Sequence, residues 1–173
     1  IDLLIHVVNM INVIYLVEDL KNTSKTIFCI GVAGYPEKHF EAPNMDSDLN
    51  YLKAKVDAGA DYIVTQMFFD NEKYFNFVKR CREIGIGVPI IPGLKPVYTR
   101  KQLNLLPKTF HIDIPSALEL EMSKCQSDAD VEQVGTEWLL HQSRELKKAG
   151  VPVLHYYTLG RPGVVANVVK ELV

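Results

Sequence analysis

Continuous apolar runs alternate along the chain with segments of helical periodicity. Four runs predict buried parallel strands, at 27–33, 62–68, 88–91 and 153–157, because strands covered on both faces lack the alternation of half-exposed ones. Apolar residues at helical spacing predict helices at 48–58, 71–84, 99–106, 115–124, 128–149 and 162–172. Gly59, Gly85 and Gly150 are expected to end three of them. This alternation indicates an α/β fold whose four units fit either a small open sheet or half of an eight-stranded barrel.

The amino-terminal stretch and the charge narrow the class of protein. Residues 1–18 predict a buried amphipathic helix, and the polar residues within 13–26 predict a loop insertion before the first strand. The chain opens with Ile1 inside this pattern, so we expect a longer protein in which 1–173 is a single catalytic-domain segment, with no separate second domain. The net charge of −2 and the lack of a long basic run favour neither a nucleic-acid partner nor a membrane surface.

Cysteine spacing and the standard catalytic motifs exclude several kinds of site. Cys29, Cys81 and Cys125 are far apart and form no C-x-x-C pair, so the sequence predicts neither a metal site nor a disulfide. Reduced thiols of this kind are typical of a cytoplasmic protein. The chain also lacks a P-loop, a G-x-G-x-x-G fingerprint, a G-x-S-x-G elbow and an H-E-x-x-H helix.

Polar residues cluster just after the first predicted strand. Tyr35 offers a ring for stacking, and His39 offers a donor for a phosphate or ribose oxygen. In the next helix Asp48, Tyr51 and Lys55 share one edge, at i, i+3 and i+7. An acid, an aromatic ring and a lysine suit the ribose, the flat ring and the phosphates of an adenine dinucleotide. The alternatives are an aromatic plug, a loop-stabilising histidine and an ordinary solvated helix face.

Gln66 is an amide within an otherwise apolar strand. A buried amide that finds no partner costs on the order of 1–3 kcal/mol, so Gln66 must be paired. At the carboxyl end of a strand a ligand is one partner, and a primary amide both donates and accepts, as the edge of a pterin or flavin requires. The alternative is a glutamine that a neighbouring loop satisfies.

The ends of the third and fourth strands supply further candidates. Residues 92–96 predict a rigid turn with exposed backbone, in which Lys95 has nothing around it to lower its pKa. Gln102 follows on a short helix that would cap the pocket. After the fourth strand, Arg161 suits a substrate carboxylate and Leu159 suits an apolar wall.

These residues together resemble the methylenetetrahydrofolate reductase family. The matching segments keep their order and spacing over residues 27–173, at 33–39, 41–42, 48, 52–60, 65–70, 91–93 and 155–161. The chain departs from the family at Gly160, where the family usually has Asn, and at Tyr51, where the residue type varies.

The resemblance implies the second half of an eight-stranded α/β barrel that binds FAD. It implies that NADH or NADPH reduces the flavin, which in turn reduces 5,10-methylenetetrahydrofolate to 5-methyltetrahydrofolate. It places the general-acid glutamate of the family upstream of Ile1. The residues that it assigns to FAD are Tyr35, His39, Ala42, Asp48 and Lys55, with Tyr51 at a flavin-facing position. Those that it assigns to the folate are Gln66, Gln102 and Arg161, with Gln66 also contacting the nicotinamide; Leu159 is a further substrate candidate from its place after the fourth strand.

Two other readings of the sequence remain at this point. One is a different barrel enzyme, such as an aldolase that uses Lys95 as a Schiff-base amine. The other is a non-catalytic half-barrel that binds a ligand. For the reductase that the resemblance implies, we expect a homo-oligomer that acts on a small folate substrate.

Overall fold

The computed structural model describes residues 28–172. The predicted helix at 1–18, the predicted insertion at 13–26 and the first residue of the first predicted strand lie outside this range. Four strands form one parallel sheet: β1 (Gly31–Gly34), β2 (Tyr62–Met67), β3 (Ile90–Leu94) and β4 (His155–Tyr156). Their spatial order is β1-β2-β3-β4, without the reversal of a doubly wound sheet. Sequential order is that of an α/β barrel, so the expected α/β fold is confirmed and its topology is that of half a barrel.

Within residues 28–172 six helices accompany the strands, and all six lie where the periodicity predicts them. They are α1 (Met45–Asp57), α2 (Asn71–Glu83), α3 (Gln102–Phe110), α4 (Ser116–Ser123), α5 (Asp128–Lys148) and α6 (Pro162–Leu172). Side chains cap the first turns: Asn44 accepts from the Ser47 N–H at 2.8 Å, and Ser127 forms a capping box with Asp130. Gly59, Gly85 and Gly150 follow α1, α2 and α5 with positive φ, which confirms the predicted helix ends.

The helices of residues 28–172 cover one face of the sheet. Val32, Ile63 and Ile90 point into the main core, where Leu49 of α1 and Phe77 of α2 are among the residues that they meet. The alternate positions are exposed or half-buried, and we call them the open face: Gly31, Ala33, Tyr62, Val64, Gln66 and Ile91. The apolar runs predict cover on both faces, and the described residues supply it on one. This sidedness is that of a barrel wall, whose interior face meets the opposite strands.

The third strand differs from its predicted position. It runs to Leu94 rather than ending at Ile91, and residues 92–98 are buried, so the predicted exposed turn at 92–96 is wrong. Proline and glycine are usually turn signals. Here the strand continues because the side-chain Oγ1 of Thr65 accepts from the N–H of Gly93 at 2.9 Å, next to an irregularity in the β2–β3 register.

A second apolar cluster lies beyond the carboxyl ends of the strands. It joins Met67 and Phe69 to α3 and α4 through residues such as Leu106 and Met122. Helix α5 packs so closely here that a Cβ added at Gly135 would lie 2.0 Å from the carbonyl oxygen of Val97. The two short helices therefore form a cap at the edge of the sheet where the candidate residues gather.

Candidate active site

The loop after β1 is closed by its own side chains. Lys38 has a left-handed backbone with φ of 76°, and its ammonium donates to the carbonyl oxygens of His39 at 2.8 Å and Ala42 at 2.7 Å. The backbone N–H of His39 donates to Oδ2 of Asp48 on α1, at 2.8 Å. These bonds fix where the Tyr35 and His39 rings stand, with their centroids 4.6 Å apart in an edge-on arrangement.

Glu37 anchors the same loop on its other side. One carboxylate oxygen accepts from the ammonium of Lys73 at 2.9 Å and from the N–H of Asp113 at 2.7 Å. The Glu37 side chain is only 8% exposed, and burial raises its pKa, while Lys73 acts in the opposite direction. Nothing in the local sequence distinguishes Glu37 as an anchor, because its partners come from α2 and from the segment before α4.

A cavity of about 300 Å³ opens between this loop and α1. All six residues predicted to bind the cofactor line it, together with Glu41 and Pro43: Tyr35, His39, Ala42, Asp48, Tyr51 and Lys55. Its volume is at the lower end of the range of small-molecule sites, about 300–1,000 Å³, which suits part of a dinucleotide. The structure thus brings together residues that the sequence separates by up to 20 positions.

Lys55 is the cation of this cavity. Its ammonium is half-buried and donates to the carbonyl oxygen of Ala33 at 3.2 Å, at the edge of β1. Burial lowers the pKa of Lys55, and the Asp48 carboxylate opposes that shift. Burial, with a contribution from the Asp48 charge, raises the pKa of the Tyr35 phenol. The cavity can therefore offer an ammonium to an anion, a carboxylate to hydroxyl groups and two rings to a planar group.

Gln66 lies on the open face, half-buried, near the carboxyl end of β2. Its Oε1 accepts from the N–H of Met67 at 3.0 Å, and its Nε2 has no hydrogen-bond partner within residues 28–172. The preceding residue, Thr65, is tied to β3 and to the residue after β4: its Oγ1 accepts from the N–H of Gly93, and its carbonyl accepts from the Tyr157 hydroxyl at 2.9 Å. The backbone that carries the Gln66 amide is thereby fixed, and its donor is left available at the open face.

The remaining predicted residues, Gln102, Leu159 and Arg161, belong to a second region, at the ends of β3 and β4. Oε1 of Gln102 accepts from the N–H of Tyr98 at 2.7 Å. Arg161 donates to Oε2 of Glu132 at 2.6 Å and stacks on the Tyr98 ring, with 4.3 Å from its Cζ to the ring centroid. Leu159 is 68% exposed, with φ of 46°, and forms no wall in this arrangement. Sequence reasoning missed Tyr98, because its contact with Arg161 depends on how distant elements pack.

The expectation that Lys95 lies in an exposed turn, with nothing around it to lower its pKa, is wrong. It is 1% exposed, and its ammonium donates to the Pro96 carbonyl at 3.0 Å and lies 4.8 Å from the centroid of the Tyr98 ring. Burial, with the Arg161 charge as a smaller contribution, lowers the pKa of Lys95 to about 8. A lowered pKa suits a Schiff-base lysine, but a substrate carbonyl cannot reach an amine this buried. The geometry therefore disfavours the aldolase reading.

Replacing Lys95 by methionine is expected to stabilise the complete protein at neutral pH. The native pKa lies below the ordinary 10.5, so the native state loses its proton first and the wild type gains stability as the pH rises from about 8. The advantage of Lys95→Met is then largest below pH 8, on the order of 3 kcal/mol, and shrinks towards pH 10. Denaturant unfolding across this range measures it, with exposed Lys101→Met as the control. An advantage that does not change with pH would contradict the burial of a charged amine.

The fold and the candidate site together define the class of protein. The chain is a segment of an α/β-barrel protein whose candidate site lies at the carboxyl ends of parallel strands, the usual position of a barrel active site. A family model described as methylenetetrahydrofolate reductase matches residues 6–173. The chain belongs to the methylenetetrahydrofolate reductase family, a family of oxidoreductase enzymes.

Individual relatives agree with this assignment. A Caenorhabditis elegans protein named probable methylenetetrahydrofolate reductase (NADPH) is 43% identical over 84% of this chain and 22% of its own length. The 5,10-methylenetetrahydrofolate reductase of Salmonella typhimurium is 42% identical over 78% of this chain and 46% of its own length. Methylenetetrahydrofolate reductase (NADH) 1 of Arabidopsis thaliana is 36% identical over 83% of this chain and 26% of its own length. The chain thus spans less than half the length of these relatives.

A solved structure supports the fold. It is described as an uncharacterized protein from Clostridium thermocellum that binds two copies of 5-methyl-5,6,7,8-tetrahydrofolic acid, and it is 22% identical with a TM-score of 0.59. The match covers 84% of this chain and 54% of that chain. Within the described range of this chain, 28–172, no helix is long and apolar enough to cross a membrane.

Proposed function

We propose that the complete protein reduces 5,10-methylenetetrahydrofolate to 5-methyltetrahydrofolate, with NADH or NADPH as the hydride donor and FAD as the cofactor. The observation that carries the proposal is that all six residues assigned to the cofactor line one cavity in a chain of this family. When bound, FAD supplies hydride transfer between the nicotinamide and the folate. Lys55 would hold an anionic part of it, Asp48 its hydroxyl groups, and Tyr35 and Tyr51 a planar part.

The residues near the strand ends would hold the substrate. Gln66 presents an amide donor at the open face, where a heterocycle with alternating donors and acceptors can pair with it. Arg161 retains N–H groups beyond the one that it gives to Glu132, and these suit a carboxylate of the folate. We propose residues 1–173 as one continuous segment of the catalytic domain, and a cytoplasmic homo-oligomer as the form in which the complete protein acts.

Turnover by the purified complete protein tests this function. The assay follows NADH or NADPH oxidation with and without 5,10-methylenetetrahydrofolate, and product analysis identifies 5-methyltetrahydrofolate. The names of the relatives include both donors, so kcat/KM for each donor assigns the preference. A protein that purifies with bound flavin but oxidises neither donor in the presence of the folate would contradict the proposal.

Lys55→Ala is expected to weaken retention of FAD by the complete protein by about tenfold, because it removes the cation of the cavity. Asp48→Ala should have a similar effect, since it removes the acceptor that holds the loop through the N–H of His39. The flavin-to-protein ratio after dialysis, read from the absorbance spectrum, measures both. Lys53→Ala is the matched control, because Lys53 lies on the same helix and pairs with Asp57.

The pH dependence of flavin retention separates the charge of Lys55 from a structural effect. An anionic group is held only while Lys55 is protonated, so the wild-type dissociation constant should rise as the pH passes upward through its lowered pKa. Lys55→Ala should lose that rise. Equal flavin ratios in the wild type, Lys55→Ala and Asp48→Ala would show that this cavity is not where FAD binds.

A further inference from the structure

Tyr98 contacts both of the residues in the second region that were assigned to the substrate. Its backbone N–H donates to Oε1 of Gln102 at 2.7 Å, and its hydroxyl donates to the carbonyl oxygen of Arg161 at 3.0 Å. The guanidinium of Arg161 lies on the same ring, 4.3 Å from the centroid. Residues from α3 and from the segment after β4 therefore meet on one residue, the first at its backbone and the second at its side chain.

Arg161 is oriented by its surroundings although its side chain is 54% exposed. The Tyr98 ring holds the plane of the guanidinium, and Glu132 accepts one of its N–H groups at 2.6 Å. The backbone turns sharply before it, with φ of 46° at Leu159 and 83° at Gly160. A guanidinium has five N–H donors in a fixed plane, so holding that plane also sets where the remaining donors point.

Tyr98 itself has little freedom to move. It is 3% exposed, and the Lys95 ammonium lies 4.8 Å from the centroid of its ring. The carbonyl oxygen of Val97, the preceding residue, packs against Gly135 of α5 so closely that a methyl side chain at position 135 would not fit. A shift of Tyr98 would require α5 to move as well.

We propose that Tyr98 is a positioning residue of the folate site, which sets the orientation of Arg161 relative to Gln102. The inference rests on the proposed function, because the anion that Arg161 would receive is a carboxylate of the folate. Because Tyr98 is buried, it would act on the folate through Arg161, and its effect would be on affinity for the folate. The flavin is proposed to bind in the cavity between the loop after β1 and α1, and the nicotinamide is assigned to Gln66 rather than to Arg161.

Tyr98→Leu in the complete protein should raise the KM for the folate by about tenfold, with kcat changed less than about twofold. Tyr98→Phe keeps the ring and the backbone bond to Gln102, so it should retain most of the wild-type affinity for the folate. Flavin content and the oxidation of NAD(P)H by a small artificial acceptor should equal the wild type in both variants. Tyr74→Phe is the matched control, because it also removes a buried hydroxyl that donates to a carbonyl, that of Ile90.

A double-mutant cycle decides whether Tyr98 acts through Arg161. In an Arg161→Ala background, Tyr98→Leu should have little further effect on the folate KM, whereas a general packing defect would add its full effect. If Tyr98→Leu does not fold, the same cycle is run with Tyr98→Phe. Its smaller effect on the folate KM should then vanish in the Arg161→Ala background. An unchanged folate KM, or full additivity, would overturn the inference alone. Absence of folate turnover in the wild type would overturn the proposed function and the inference together.

Discussion

Gln66→Ala lowers folate turnover of the complete protein by about tenfold to a thousandfold, roughly 1–4 kcal/mol of transition-state stabilisation, and leaves flavin content unchanged. We expect this result because the Gln66 amide lies at the open face with an Nε2 that bonds to nothing in residues 28–172. Thr65 is held by Gly93 and Tyr157, so the amide is presented from a fixed backbone. Steady-state kinetics with the folate, together with the flavin absorbance, measure both quantities.

Two further variants show what the amide contributes. Gln66→Glu keeps one acceptor oxygen and replaces the NH2 donor by a second acceptor, so it should fail as Gln66→Ala does if the donor is what the ligand needs. Val64→Ala removes apolar volume from the same face of β2, and it should leave the folate kinetics close to the wild type. Wild-type turnover in Gln66→Ala would mean that the amide serves only the N–H of Met67.

The 173-residue chain by itself is expected to bind FAD poorly and to show no reductase activity. Within the described range β1 and β4 are the outer strands, each paired on one side, and the open face has no cover. Unpaired edges and exposed apolar faces of parallel sheets favour aggregation or pairing with another chain. The family resemblance also places the general acid of the reaction outside these residues.

Parallel expression of residues 1–173 and of the complete protein tests this expectation. Light scattering gives the oligomeric state, the absorbance spectrum gives flavin per chain, and the folate-dependent oxidation of NAD(P)H gives the activity. The complete protein should bind FAD and turn over, and the 173-residue chain should do neither. A monomeric 173-residue chain with one FAD and steady turnover would show that the architecture is complete without further strands.

Local chemistry in the sequence predicted the elements well, because the determinants of those elements are local. Glycines at helix ends and apolar runs placed the strands and helices to within a few residues. The predicted end of the third strand was wrong. The Thr65 side chain, 28 residues earlier, accepts a hydrogen bond from the N–H of Gly93, and this bond keeps Gly93 in the sheet. Helical spacing put Asp48, Tyr51 and Lys55 on one edge, the position after the first strand indicated Tyr35 and His39, and the resemblance added Ala42.

Tyr98 and Lys95 show what the sequence could not predict. The hydroxyl of Tyr98 donates to a carbonyl 63 residues later, and the buried segment that contains Lys95 packs against Gly135 of α5 through the Val97 carbonyl. Neither arrangement has a local signal, since each depends on how distant elements pack. The sequence predicts the strand ends at which the candidate residues lie, but not the contacts that orient their side chains.

The anchored loop after β1 has a consequence for how quickly the cavity can be filled. Lys38, Asp48 and Glu37 hold the loop through partners of the chain itself, so its shape does not depend on a ligand. Ligand binding therefore does not have to order a mobile loop, a step that costs about 1–2 kcal/mol of conformational entropy per backbone residue. Association at this cavity should be a single step whose observed rate rises linearly with ligand concentration, without the plateau that a slow loop closure would impose.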